Sequence, residues 1–64
     1  MKPYTIAGFE NKDNIPDAVI DAIVKAFPND ALDILKTLRF AGDHYCFTKW
    51  GMYVGVEFDG YIHT

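Results

Sequence analysis

Cysteine is all but missing: the 64-residue chain carries a single thiol, Cys46. One thiol cannot close an intrachain disulfide, which excludes the small disulfide-stapled secreted class and favours a reducing compartment. Basic charge is also short, with six Lys and Arg against nine Asp and Glu and a net charge of -3. That balance disfavours non-specific attraction to phosphate backbones or anionic lipid, yet the acidic excess is too small to mark a nucleic-acid mimic. No apolar run approaches the roughly 18 to 20 residues of a membrane span, and the opening Met1-Lys2-Pro3-Tyr4-Thr5 lacks the apolar stretch of a signal peptide. The expectation is a soluble, cytoplasmic protein without membrane contact.

What is present is an asymmetry. Six of the ten aromatic residues fall between Tyr45 and Tyr61, among β-branched residues and glycines, whereas the preceding segment is aliphatic with helical periodicity. A domain this short buries only about 60% of the surface its unfolded chain exposes, so its stability margin is thin and association would help it. Residues 1–64 are read as one α+β domain with one core.

Pro3 to Phe9 reads as a short first strand, with proline tolerated at its start. Asn14 reads as a helix N-cap, with Pro16 in the first turn and Asp17 favouring the positive helix end. The first helix is expected to run to about Phe27. Ile15, Val19, Ile20, Ile23, Val24 and Phe27 form one apolar stripe, and Asp17, Asp21 and Lys25 a solvated row. Ala18, Ala22 and Ala26 make a third row of small residues. After Pro28, Asn29 or Asp30 caps a second helix that turns Ala31, Leu32, Ile34, Leu35 and Leu38 inward, carries Lys36 and Arg39 at its C-terminal end and stops at Gly42.

The remainder alternates with a period of two. Met52, Val54, Val56 and Phe58 are expected to face the core, and Tyr53, Gly55 and Glu57 the opposite side. A two- or four-residue loop around Lys49 to Met52 pairs Phe47 with Val54 and Tyr45 with Val56, so that the apolar sets coincide. Asp59-Gly60 reads as a two-residue turn pairing Phe58 with Tyr61, Glu57 with Ile62 and Val56 with His63. The predicted order is β-α-α-β-β-β, an antiparallel sheet of three or four strands with a helical hairpin packed on one face.

Catalytic and metal chemistry find little support in this pattern. His44 and Cys46 share a strand face, as thiolate activation requires, but the predicted register sends His63 to the other face and leaves only Glu57 nearby. Zinc wants about four ligands, and its paired spacings are absent. Asp17, Asp21, Asp30 and Asp33 are explained by caps, helix dipole and solvated rows. Gly42, Gly51, Gly55 and Gly60 lack the strand-to-helix context of a phosphate loop. Neither cofactor nor metal nor enzymatic activity is expected.

Association surface is what remains. Trp50, at a predicted hairpin tip before Gly51, joins Lys49, Tyr53 and the neighbouring pair Glu57 and Ile62 as the expected partner-binding set. The leading expectation is a small non-catalytic protein-binding module, an inhibitor, adaptor or accessory factor of the size common among phage and mobile-element products. The alternative is a nucleic-acid-binding domain using Lys36, Arg39, Lys49 and Tyr53. The final strand, Tyr61 to Thr64, offers an edge on which a second copy can pair to form a homo-oligomer.

Overall fold

The computed structural model describes residues 8–64. Residues 3–7 of the expected first strand lie outside them. Phe9, at the end of that expected strand, has no regular structure and packs against the core. The described elements run α1 (Asp17–Ala26), α2 (Ala31–Thr37), β1 (Arg39–Phe40), β2 (Tyr45–Lys49), β3 (Met52–Val56) and β4 (Ile62–His63). The strands form one antiparallel sheet in the order β1-β2-β3-β4. The α+β architecture follows the sequence reading, with a short strand at Arg39–Phe40 where the helix end was expected.

Both helices bury the predicted stripes. Val19, Ile20 and Ile23 of α1 and Ala31, Ile34 and Leu35 of α2 meet Phe47, Val54 and Val56 of the sheet in one cluster, with Phe27 edge-on to Phe47 at 5.6 Å between ring centroids. Removing a side chain such as Leu35 from a core this small opens a cavity that its neighbours can refill only in part.

The start of α1 differs from expectation. Asn14 is no cap; it sits at φ 55 in the left-handed region that asparagine tolerates. Asn11 instead brackets Ile15, its amide donating to the Ile15 carbonyl at 2.9 Å and its oxygen accepting the Ile15 N–H at 2.8 Å. Helix α2 also ends early. Leu38 is extended at ψ 137, and the Thr37 hydroxyl turns back to the Asp33 and Ile34 carbonyls, which a helix end leaves without partners. Arg39 therefore belongs to a strand rather than to the helix end. Pairing of Arg39 with Cys46 and of Phe40 with Tyr45 satisfies backbone that the helix has released.

The first hairpin has the predicted register, Phe47 opposite Val54 and Tyr45 opposite Val56. The second is shifted by one residue. Glu57 N–H donates to the Tyr61 carbonyl at 2.8 Å and Gly60 N–H to the Glu57 carbonyl at 2.9 Å, closing a three-residue loop, Phe58-Asp59-Gly60, with Gly60 at φ +93. Val56 thus pairs with Ile62 and Gly55 with His63. Because side chains alternate, this shift exchanges the faces of Ile62 and His63 relative to the predicted pairing. Ile62 packs on the core, its apolar body matched to Val56. Phe58, expected inward, leaves the strand in this loop and lies exposed against Phe40 and Tyr45, 5.6 and 5.8 Å between centroids. Met52 is likewise exposed, at the hairpin end of β3, beyond the buried run that begins at Val54.

Gly60 also meets α1 closely: a Cβ there would lie 2.7 Å from the Ala18 carbonyl oxygen, which is backbone and cannot swing aside. Gly60→Ala is expected to cost about 2 kcal/mol or more, from the left-handed backbone together with this clash. Urea unfolding of the two proteins measures it. An unchanged midpoint would show that the three-residue turn is not the one formed.

Candidate functional site

Two surfaces carry the side chains that the fold does not use. At the tip of the first hairpin, Trp50 and Gly51 occupy the two central turn positions, both with positive φ, 53 and 75. This is the type I′ geometry that suits the twist of the flanking strands and normally selects Asn-Gly. A tryptophan there costs roughly 1–2 kcal/mol in backbone strain, and the side chain recovers little of it by burial, being 80% exposed. Lys49 stands over the indole, its Nζ 4.4 Å from the ring centroid, while pairing with Asp30 at 2.9 Å. The pair ties the hairpin to the N-terminal end of α2, so Asp30, which makes no side-chain cap, serves the tip instead.

The second surface is the sheet face turned away from the helices. A row runs across it through the paired positions Arg39, Cys46, Gly55 and His63, flanked by Thr48, Tyr53, His44 and Glu57. The His44 ring accepts or donates on both sides, Nδ1 to Asp43 at 2.7 Å and Nε2 to the Tyr53 hydroxyl. His63 Nε2 meets Glu57 at 2.9 Å, and its ring stacks beside Tyr61. The two imidazoles lie 5.7 Å apart between centroids. The seat for His63 is Gly55: a Cβ at that position would come within 2.5 Å of the imidazole Cε1. The glycine is therefore a place where one ring lies flat on bare backbone.

The imidazole beside Asp43 holds that exposed carboxyl below its ordinary value, first through the hydrogen bond and then through charge. Partial removal from water raises the Tyr53 phenol, with the Cys46 thiol beside it and the Asp43 and Glu57 carboxylates adding to the effect. A raised phenol is a poor nucleophile at neutral pH, and the face is an open sheet rather than a cleft that could exclude water. Among the described residues, no group of three or more His, Cys, Asp or Glu side chains is placed to hold a metal ion.

The sequence-predicted partner set is thus split. Trp50 and Lys49 meet at the tip, and Tyr53 and Glu57 share the open face, but Ile62 is on the helix side and leaves that patch. Of the nucleic-acid set, Lys36, Arg39 and Tyr53 line one groove, while Lys49 is committed to Asp30 with a side chain only 15% exposed. Sequence reasoning placed His63 on the wrong face and so missed the histidine pair. Matching Val56 with Ile62 through a three-residue loop would have revealed it, since that register lays His63 over the one strand glycine. No known protein family, curated protein or solved structure matches the chain. No helix of the described residues is long and apolar enough to cross a membrane.

Two measurements follow. In carbon-detected NMR titration, Asp43 should titrate below 3.8 in the native protein and return towards that value in His44→Ala. Because the folded value is the depressed one, the stability this link contributes is present above the unfolded value and is lost as pH falls through the folded one. Identical Asp43 titration in both proteins would remove the link. Gly55→Ala should break the Glu57–His63 bond, shifting the His63 ring resonances, at a small stability cost because the imidazole can swing away. Unmoved His63 resonances would contradict the seating.

Proposed function

We propose that the chain is a non-catalytic protein-binding module whose anchor is Trp50 at the hairpin tip, with Tyr53 and the open sheet face beside it. The observation that carries this reading is the coincidence of strain and exposure at one residue. A large aromatic side chain stands in a left-handed turn position where Asn would be less strained, and it is left bare to solvent. Neither the turn nor the core gains from it. Rigid, partly polar aromatic side chains of this kind are enriched among residues that dominate binding energy. Lys49 supports the same reading, since its contact with the ring and its pairing with Asp30 restrain the tip before any partner arrives. A reducing, cytoplasmic setting fits the unpaired Cys46.

A nucleic-acid role is the second reading, favoured by the groove that gathers Lys36, Arg39 and Tyr53. It is the weaker one, because Lys49 is already paired and the chain as a whole is acidic.

Trp50→Asn separates function from folding. It should stabilise the protein by about 1 kcal/mol by supplying the residue that the turn geometry prefers. Capture of partner from host extract, quantified against wild type, should weaken by about 2 kcal/mol or more. A stabilised variant that captures the same partner equally well would refute the anchor, and a destabilised one would show that Trp50 serves the fold.

A further inference from the structure

The partner's chemistry is suggested by the groove beside the hairpin. Strand β2 pairs along its whole length with β3, but β1 covers only Tyr45 and Cys46 on the other side, because the chain leaves for α2 at Thr37. Alternation in an antiparallel ladder settles which backbone groups this exposes. Cys46 pairs with Arg39, and the His44 carbonyl accepts the Ala41 N–H at 2.8 Å, so even-numbered positions of this strand face β1. Thr48 faces the same way, where β1 no longer reaches, and its N–H and C=O have no partner among the described residues. The gap opens into a groove of about 760 Å³ lined by Lys36, Arg39, Thr48 and Tyr53, with no carboxylate on its walls. Neither cation has an ion pair among the described residues. In a chain of net charge -3, a groove whose described lining holds two cations and no acid is a local inversion of sign.

We infer that this groove takes an acidic, extended segment of a protein partner, which pairs with the backbone of Thr48 and sets a carboxylate between Lys36 and Arg39. The inference rests on the protein-binding reading and is continuous with it, Thr48 lying two residues from Trp50 on the same hairpin. Strand addition supplies affinity through main-chain hydrogen bonds, and the cations supply selectivity for carboxylates. A nucleic acid would bring many phosphates to a site with only two cations, against the repulsion of the remaining acidic surface.

The test is an amide-resolved NMR titration of the full chain with an end-blocked hexapeptide alternating glutamate and valine. A lysine-for-glutamate peptide and an oligothymidylate of similar length serve as the comparison probes. The expected result is saturable shifts at Arg39, Thr48 and Tyr53 with the acidic peptide, none with the lysine version, and binding weakened about tenfold by Arg39→Gln, as loss of one charged hydrogen bond requires. Absence of saturable shifts, shifts confined to other surfaces, or indifference to Arg39→Gln would overturn the inference. Tighter binding of the oligothymidylate to the same residues would replace it with the nucleic-acid reading. If the peptide fails while Trp50→Asn still weakens partner capture, the groove assignment falls and the anchor stands.

Discussion

The tight turn at Trp50-Gly51 is the constraint from which the rest of the sheet follows. With two central residues, both at positive φ, the loop fixes Lys49 opposite Met52 and hence Phe47 opposite Val54 and Tyr45 opposite Val56. A slip of one residue in β3 would turn the buried valines to solvent and bring Tyr53 under the helices. The same register that builds the core therefore assigns the polar face its residues. Strain at Trp50 sits at the point where that decision is made.

The two faces do different work. On the helix side, apolar side chains fill the space between sheet and helical hairpin, and no buried polar or charged residue interrupts them among the described residues. On the other side, no element of the described residues covers the sheet, and polar groups there satisfy one another: Asp43 with His44, His44 with Tyr53, and Glu57 with His63. These links hold side chains in defined positions on an exposed surface. Along β2 the face changes character, from the carboxylate beside His44 to the cations Lys36 and Arg39 near Thr48. Surfaces ordered in this way present a fixed pattern to a partner instead of ordering on contact, which lowers the entropic cost of association.

Sequence reading reached the helix stripes and the first hairpin because both rest on periodicity extending over several turns or residue pairs. Val19, Ile20 and Ile23 could face only one way, and so could Phe47, Val54 and Val56. It failed where a single residue decides. Asp59-Gly60 can close two- or three-residue loops, and the choice depends on the fit of Ile62 to Val56 and of Gly60 beneath Ala18, which local preference does not encode. Arg39 and Phe40 carry helix-compatible residues yet join the sheet, because the edge of β2 and the rings of Tyr45 and Phe58 reward an extended chain there. Trp50 was legible as a tip residue, but its left-handed backbone was not, since nothing in the composition of the turn advertises tryptophan for that role.

Trp50 is the only tryptophan, so its intrinsic fluorescence reports directly on the claim that the hairpin tip stands bare. Native emission should lie close to that of an indole in water, with acrylamide quenching nearly as efficient in the folded protein as in urea. A blue-shifted native spectrum, protected from acrylamide and moving to the red on unfolding, would place the ring inside the fold and contradict it.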